Sequence, residues 1–433
     1  MIPRRPYLSF PVVLCFLVDL FFMSALLTGS RCASQEVPWL SAASNQAVPR
    51  SYFGMTINNI GGVTPWPSVP FSQWRLWDAN VAWPWLEPQR GVWNFATLDL
   101  YVQIANRAGV GLLLPLGLSP TWASARPLEP SVYALGNAAE PADMQDWLTY
   151  VTMVATRYKG RIHGYEIWNE PNLTGFWTGN VSQMVELTQE AAAAIHAIDP
   201  GALVVSPAAE GPNTTPGSGS PGTNGVQWLQ AFLAAGGGQY VNVIGYHFYV
   251  MPDPPEAMVP LIAEVRQVMQ QGGVALMPLW DTETGWQTPN PFPSEELEAA
   301  YVVRAYVLAW LSGAQRFYWY AWDNHTWVSL PLTELDNKTP TLAGQAYGTI
   351  QTWMGGAVAK ELTLDSSGSW IVEQQRGGVT QWIVWDPYGL AQIDLTYFPG
   401  ADTVTPLSGS PSPLSGTSLD VSEIPELVST TEP

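Results

Sequence analysis

From residue 51 onward, short apolar runs alternate with longer stretches of helical character. Eight of the runs predict strands, and in chain order they are SYFGMTIN, QWRLWDA, VGLLLPLG, IHGYEIWN, ALVVSPA, VNVIGYHFYV, ALMPLWDTE and RFYWYAWD. The stretches between them include 95–109, 143–160, 181–199 and 295–313, and several close on glycine, as helices commonly do. Such alternation is typical of parallel βαβ units.

Eight βαβ units can close into a (β/α)8 TIM barrel, a fold that takes roughly 250 residues or more. An open, doubly wound sheet is the alternative. No glycine-rich phosphate loop follows any of the strands, which weakens the nucleotide-binding forms of that alternative. The pattern therefore predicts an α/β fold with the barrel over 45–352.

The pattern changes near residue 355. The runs AVAKELTL, WIVEQQ, TQWIVWD and AQIDLTYF alternate as strands do, which predicts a small, sandwich-like antiparallel β domain over 355–433, packed on the barrel. The run at 211–225 lacks the apolar residues needed to pack, so we expect a long exposed loop after the fifth strand, where it can border an active site.

The first residues have the pattern of a targeting segment. Arg4 and Arg5 precede a long apolar run that only Asp19 interrupts, and small residues follow it. This predicts an export signal over 1–33 and a secreted, periplasmic or cell-surface protein. An uncleaved membrane anchor is the alternative, because the run is close to the length that spans a bilayer.

Charge and composition narrow the partners. Acidic residues outnumber basic ones 36 to 17, and a net charge of -19 repels nucleic acid. Charged residues make up only 12% of the chain, which carries 22 tryptophans, so recognition should rely on flat apolar faces and hydrogen bonds. Neutral sugars suit such a surface, because their C–H faces lie against indole rings.

No metal or cofactor is predicted. The four histidines are scattered, and no pair of them has helical ligand spacing. The histidines are His163, His196, His247 and His325. Both cysteines, Cys15 and Cys32, lie in or beside the targeting segment, so neither a disulfide framework nor a cysteine metal site is expected.

Two carboxylates stand at predicted strand ends, where the loops of a barrel carry its chemistry. Glu170 ends the fourth strand in YEIWNEPN, and Glu283 ends the seventh in WDTETGW. Either alone could cap a helix or pair with a core arginine. Burying each without partners would cost several kcal/mol, so both should face a cleft. Two carboxylates across a sugar-sized cleft are the minimum equipment for glycoside hydrolysis.

GYEIWNEPN followed by WDTETGW resembles the retaining glycoside hydrolases of clan A, and the span from about 51 to 350 is similar to their eight-strand plan. Family 39, with its bacterial endoglycosidase-like and β-xylosidase members, is the nearest likeness. The resemblance implies that Glu170 is the general acid/base and Glu283 the nucleophile. It also implies β-type bonds in a polysaccharide or oligosaccharide substrate.

The resemblance implies four supporting residues. Asn169 would hydrogen-bond the sugar 2-hydroxyl, and Tyr249 would hydrogen-bond the nucleophile. His247 would shape the site, although it could also be a satisfied core histidine. Arg75 would keep the nucleophile ionised, although it could instead pair with Asp78.

The two carboxyl groups need different proton affinities. Arg75 and the Tyr249 hydroxyl are expected to lower the pKa of Glu283, whereas aromatic surroundings and a second negative charge are expected to raise the pKa of Glu170. Once the glycosyl-enzyme forms, that second charge disappears, and Glu170 can act as a base toward water.

Tryptophans are the candidate sugar platforms. By likeness to the family, Trp319 is expected beneath the sugar at the cleavage point, with Trp322 second. Trp83 and Trp122 lie in predicted βα loops and could stack on neighbouring sugars or simply pack. Asp281, two residues before the predicted nucleophile, should point the same way along its strand and is the rival carboxylate.

Two functions remain open. The favoured one is a secreted retaining glycoside hydrolase, and the other is a non-catalytic carbohydrate-binding or matrix-associated barrel protein. The presence of both carboxylates favours the enzyme. An inverting mechanism is also open, and the distance between the carboxyl groups discriminates, since about 5 Å favours retention and about 6.5 to 9.5 Å favours inversion.

Overall fold

The structure is a computed structural model that describes residues 46–211, 222–286, 292–328 and 330–430. The predicted export signal and most of the predicted loop at 211–225 lie outside these ranges. Within them, no helix combines the length and apolarity needed to cross a bilayer.

A ring of short parallel strands forms the centre of the fold. The strands are β1 (Phe53–Thr56), β2 (Gln73–Arg75), β3 (Gly111–Leu116), β4 (Gly164–Ile167), β5 (Leu203–Val205), β6 (Ala209–Glu210), β7 (Ile244–His247), β8 (Leu279–Thr284) and β9 (Ala314–Trp319). They pair in the order β5-β4-β3-β2-β1-β9-β8-β7-β6. β5 lies within the predicted fifth strand, β6 directly follows that run, and a parallel bridge from Val205 to Val243 closes the ring. The predicted (β/α)8 barrel is confirmed.

Helices cover the outside of the ring. They are α1 (Trp83–Leu86), α2 (Ala96–Ala108), α3 (Met144–Tyr158), α4 (Val181–Ile198), α5 (Gly225–Ala234), α6 (Met258–Gln271), α7 (Glu295–Leu311) and α8 (Leu342–Met354). Polar caps fix where several begin, for example the capping box in which Asn180 and Gln183 satisfy each other's backbone N–H groups before α4. α2 ends on Gly109, whose φ of 67° is the left-handed conformation that glycine adopts at low cost.

The predicted antiparallel β region follows the last helix. Its strands are β10 (Val358–Leu364), β11 (Trp370–Arg376), β12 (Val379–Trp385), β13 (Ala391–Asp394), β14 (Thr403–Pro406), β15 (Ser412–Pro413), β16 (Ser418–Val421) and β17 (Glu426–Ser429). Six of them form an antiparallel sheet in the order β10-β11-β12-β17-β14-β15, while β13 pairs with β16. Alternate residues of this sheet, such as Trp382 and Val384, build a small apolar core of their own.

Contacts join this sheet to the barrel. Arg304 on α7 is fully buried and pairs with Glu256, which also accepts a hydrogen bond from Trp385 Nε1 on β12 at 2.8 Å. The start of the described chain contributes as well, because the Val48 N–H donates to the Ala357 carbonyl at 2.9 Å. The C-terminal region is thus connected to α7 and to the residues that precede β1.

Candidate active site

The C-terminal ends of four barrel strands bring the predicted chemical groups together. Arg75 ends β2, Glu170 follows β4, His247 ends β7 and Glu283 lies near the end of β8. Arg75 and His247 are fully buried, and the two glutamates are each 6% exposed. The glutamates are therefore the members of this group that reach the surface of the barrel mouth.

The two carboxylates lie close together. One oxygen from each and a ring nitrogen of His247 form a group whose members all lie within 4.8 Å of one another. One nitrogen and two oxygens could also ligate a divalent ion. Arg75 already contacts Glu283, however, and supplies positive charge to the site.

Glu283 accepts hydrogen bonds at both of its oxygens. Arg75 Nη1 donates to Oε2 at 2.5 Å, and the Tyr249 hydroxyl donates to Oε1 at 3.0 Å. Both partners were predicted from the sequence as neighbours of this carboxylate. Each stabilises its ionised form.

Arg75 is itself held by two further residues. Its Nη2 donates to Glu166 Oε1 at 2.5 Å and to Asn169 Oδ1 at 2.7 Å. The sequence-based alternative, a pair with Asp78, is not the arrangement that forms. Glu166 was missed, although strand alternation in YEIW could have found it, because Tyr165 and Ile167 pack in the main core while Glu166 points the other way.

Asn169 is fixed by Arg75 and still has an unused donor. Its Oδ1 accepts from Arg75, and its buried Nδ2 has no partner with good hydrogen-bond geometry among the described residues, although the amide is near enough to Glu170 to lower the pKa of that carboxyl group slightly against the effect of burial. A buried amide of this kind costs free energy unless something fills its hydrogen-bonding capacity. A substrate hydroxyl can do so.

The turn that carries Glu170 has an unusual backbone. Trp168 has a φ of 69° and Glu170 a φ of 44°, a conformation that costs a non-glycine residue roughly 1 to 2 kcal/mol. Hydrogen bonds to two other strands hold it, from the Trp168 N–H to the Leu116 carbonyl at 2.7 Å and from the Glu170 N–H to the Ala208 carbonyl at 2.9 Å. The Trp168 indole also donates to the Phe176 carbonyl at 2.7 Å. The turn is a fixed feature that aims Glu170.

His247 lies between Arg75 and Glu170. Its Nε2 is 3.4 Å from Arg75 Nη2, and its Nδ1 is 2.8 Å from Glu170 Oε1. A guanidinium can only donate, so Nε2 acts as the acceptor and the Nδ1–H donates to Glu170. Burial lowers the pKa of His247 to about 4, which keeps the ring neutral near pH 7. The neutral His247 ring thus donates a hydrogen bond to Glu170 and holds that carboxyl group in position.

Burial dominates the proton affinities of both glutamates. It raises the pKa of Glu170 to about 8 and the pKa of Glu283 to about 7. The prediction that the pKa of Glu283 falls below its ordinary value is therefore wrong, because desolvation outweighs the attraction of Arg75. Glu170 still has the higher pKa of the two, as the sequence predicted.

Three of the four predicted tryptophan platforms have no exposed face. Trp319, Trp322 and Trp83 are all fully buried. The Trp319 ring stacks on Trp286 with centroids 5.7 Å apart and also faces Tyr306 of α7 at 6.4 Å, and Trp83 stacks on Tyr150 at 4.9 Å. Neither of these two stacked rings offers a free face to a sugar at the barrel mouth.

Trp122, the fourth, is half-buried in the loop after β3. Its Nε1 donates to the Glu87 carbonyl at 2.9 Å, and the Arg90 guanidinium lies over its ring at 4.9 Å. An intramolecular cation therefore occupies one face of Trp122. Contacts of this kind favour packing over the predicted stacking role.

The rival carboxylate, Asp281, also lies apart from the site. It is fully buried, and its Oδ1 accepts from the Thr284 hydroxyl at 2.8 Å. The register between β8 and β9 shifts between Asp281 and Thr284. Because such a bulge breaks strict alternation, the expectation that Asp281 points the same way as Glu283 is wrong.

Tyr320 and Asp78 also belong to the site, but the sequence reasoning missed Tyr320 and considered Asp78 only as a partner of Arg75. The Tyr320 hydroxyl donates to Asp78 Oδ2 at 2.5 Å, and the Tyr133 hydroxyl donates to Asp78 Oδ1. Burial raises the pKa of Tyr320, and the charges of Asp78 and Glu283 raise it further. Tyr320, which directly follows β9, thus lies beside the carboxylates, where the sequence had predicted Trp319.

Comparison with known proteins gives a consistent set of relatives. The family model described as glycosyl hydrolases family 39 matches residues 86–312. A β-xylosidase from Geobacillus stearothermophilus is 26% identical over 240 residues, which cover 49% of this chain and 45% of that protein. The matched part thus spans less than half of that relative's length.

Solved structures share the fold over nearly the whole chain. A family 39 β-xylosidase from Caulobacter crescentus has a TM-score of 0.66 at 17% identity and covers 91% of this chain and 98% of that one. A glucosidase from Croceicoccus marinus has a TM-score of 0.62 at 15% identity, covering 89% and 97%. At such identities the likeness establishes the shared barrel and β domain.

Proposed function

Because the chain belongs to glycosyl hydrolases family 39, we propose that it hydrolyses β-type glycosidic bonds in an oligosaccharide or polysaccharide by a retaining double displacement. Glu283 is the nucleophile and Glu170 the general acid/base. The substrate is the only partner that this chemistry needs.

The distance between the carboxylates carries the proposal. One oxygen of Glu170 and one of Glu283 lie within 4.8 Å of each other in a single buried site. Retaining glycosidases hold their carboxyl groups about 5 to 5.5 Å apart, whereas inverting enzymes need about 6.5 to 9.5 Å to admit a water. The short gap supports direct attack on the sugar.

In the first step, Glu170 gives its proton to the departing oxygen while Glu283 attacks the anomeric carbon. The bond to the leaving group breaks as the bond to a carboxylate oxygen of Glu283 forms. Arg75 and Tyr249 keep the attacking carboxylate oriented through their hydrogen bonds. As the family resemblance implies, Asn169 donates from its Nδ2 to a hydroxyl of the bound sugar, and the absence of a hydrogen-bond partner for Nδ2 among the described residues supports this role.

In the second step, water cleaves the glycosyl-enzyme. The two carboxylates interact electrostatically, since the charge of Glu170 adds to the effect of burial in raising the pKa of Glu283. Esterification removes the charge of Glu283, so the pKa of Glu170 falls and its carboxylate can accept a proton from the attacking water. The Nδ1–H of His247 stabilises that carboxylate.

The names of the relatives suggest the first substrates to test. Both the curated relative and the Caulobacter crescentus structure are β-xylosidases, so we propose β-xylosides as the substrate class. The targeting pattern at 1–33 supports an exported enzyme, secreted or held in the periplasm or at the cell surface.

The stereochemistry of the product tests the mechanism. We expect proton NMR during hydrolysis of an aryl β-xyloside to show the β-anomer of xylose first, followed by slow mutarotation to the α-anomer. The aryl α-xyloside is the control and should remain uncleaved. If the α-anomer forms first from the β-xyloside, the double displacement is wrong.

The pH profile should be narrow and slightly alkaline. Glu283 must be ionised, so activity rises as the pH passes its pKa of about 7, and Glu170 must be protonated, so activity falls above its pKa of about 8. The profile of kcat/KM, which reports on the free enzyme, should therefore peak between these two values. A maximum near pH 5, typical of unperturbed carboxyl groups, would contradict the burial of this pair.

A further inference from the structure

A polar cavity of about 230 Å³ lies at the barrel mouth, lined by residues from the loops after β1, β2 and β9. Ligand pockets commonly measure about 300 to 1,000 Å³, so this one suits a single small ring and not a large ligand. It is distinct from the group formed by Glu170, His247 and Glu283, none of which lines it.

The cavity adjoins the catalytic carboxylates through Asp78. Asp78 lines the cavity and accepts a hydrogen bond from Tyr320 at 2.5 Å. Burial is the main reason why the pKa values of Glu170 and Glu283 are raised, and the negative charge of Asp78 adds to both shifts. A sugar chain that crosses the carboxylate pair can therefore extend into this cavity.

Asn58 gives the cavity wall an unused acceptor. The residue is 4% exposed, and its Nδ2 donates to the Trp77 carbonyl at 3.1 Å, which fixes the orientation of the amide. Its Oδ1 is buried and has no hydrogen-bond partner within the described part of the chain. A lone buried acceptor is costly and calls for a donor, which a sugar hydroxyl supplies.

Trp327 gives the cavity an exposed flat face. It is 58% exposed at the cavity rim, whereas every other tryptophan in the described ranges is buried or half-buried. Its loop is fixed, because Asn324 Oδ1 accepts from the Thr326 and Trp327 N–H groups at 3.0 and 2.9 Å. Asn324 Nδ2 in turn donates to the Tyr320 hydroxyl at 2.9 Å, so the platform is connected to the catalytic site.

The position of the cavity around the ring identifies which side of the scissile bond it serves. β9, whose loop carries Trp327, is the neighbour of β8, which carries the nucleophile Glu283. Glu170 follows β4, on the far side of β2 and β3. The leaving group departs toward the acid, so the cavity lies on the side of the sugar that stays on the enzyme.

We propose that this cavity is a second sugar-binding subsite for the ring that precedes the cleaved residue, with Trp327 as its stacking platform and Asn58 Oδ1 as an acceptor. The inference rests on the proposed function and adds the minimum length of its substrate. The enzyme acts on oligosaccharides or chains with at least two linked sugars before the cleaved bond, and releases a product longer than a monosaccharide.

Two aryl glycosides test the subsite. In the wild type we expect 4-nitrophenyl β-xylobioside to have a higher kcat/KM for aryl release than 4-nitrophenyl β-xyloside. In Trp327→Ala the ratio of the two values should fall about tenfold, the effect of losing one aromatic contact of about 1.4 kcal/mol. Trp327→Phe should restore most of the ratio. Tyr388→Ala removes an exposed aromatic from the C-terminal region, and this control should leave the ratio unchanged.

The outcomes separate the subsite from the catalytic assignment. An unchanged ratio in Trp327→Ala, or an equal loss on both substrates, overturns the subsite while hydrolysis by the wild type still stands. If the wild type cleaves neither glycoside, the proposed function fails for this sugar. Calorimetric titration of Glu283→Gln with xylose and xylobiose then decides. A Trp327→Ala change that weakens xylobiose binding selectively supports the subsite, and the absence of any such change refutes it.

Discussion

Replacing Glu283 with glutamine should lower kcat by at least about 10⁴-fold while leaving substrate binding largely intact. The amide keeps the size of the side chain and an oxygen that can accept from Tyr249, but it cannot form the glycosyl ester. Turnover of an aryl β-xyloside measures the loss, and calorimetric titration with the intact sugar measures the binding.

The same substitution at a glutamate far from the site shows whether the loss of activity is specific to Glu283. Glu186→Gln changes an exposed glutamate on α4 and should leave kcat unchanged. Thermal unfolding of both variants checks the fold. Equal activity in Glu283→Gln and the wild type would remove the nucleophile from the mechanism, whatever the position of the side chain.

The second large effect should depend on the leaving group. Glu170→Ala removes the acid, so cleavage of an unactivated alkyl β-xyloside should fall about 10² to 10⁴-fold. A dinitrophenyl leaving group needs no proton, so its first step should continue. Water then attacks the glycosyl-enzyme slowly without a base, and stopped-flow absorbance should show a burst of aryl release followed by a slow steady rate.

Azide distinguishes a missing base from a damaged site. As a small anion that needs no deprotonation, azide can enter the space left in Glu170→Ala and should restore the steady rate while forming the β-glycosyl azide. The same addition to Glu186→Ala should change nothing. An equal loss on both leaving groups, without a burst, would place Glu170 outside the acid/base role.

The barrel could be predicted from the sequence because its signal is repeated along the whole chain. Each of the eight predicted apolar runs contains observed barrel strand, and the four quoted helical stretches contain α2, α3, α4 and α7. The break in the fifth strand, between Val205 and Ala209, had no comparable signal. ALVVSPA shows a proline near the break, but its effect depends on pairing with β4 on one side and β7 on the other.

Which side chains face the barrel mouth was harder to predict, because periodicity gives alternation without its phase. In RFYWYAWD, Phe317 and Trp319 lie on the helix side, where both contact neighbouring aromatic rings, while Tyr320 lies beside the carboxylates. The bulge after Asp281 is likewise a property of two strands together. Strand ends indicated the two glutamates and the family likeness gave their roles, but the likeness chose Trp319 where the next residue, Tyr320, lies beside the carboxylates.

The ion-pair partners and pKa values of the site residues could not be predicted for a different reason. The pairing of Arg75 with Glu283 was implied by the family resemblance, whereas the second ion pair of Arg75, with Glu166, depends on which strands are neighbours in the barrel. The extent of burial, which raises the pKa of Glu283 in spite of Arg75, depends on how the mouth closes around the pair. The sequence shows which charged residues are present, but it does not show how deeply the fold buries them.

The connection between barrel and C-terminal sheet has a consequence for how the chain can be divided. The Arg304 charge is compensated by Glu256, which is also held by Trp385, and Val48 is fastened to Ala357. Removing the sheet would leave a gap where the Trp385 indole packs beside this ion pair. It would also remove the pairing between β10 and the residues before β1. The barrel and its sheet are therefore one structural unit, and a chain cut before β10 should unfold at a lower temperature than the chain that keeps both.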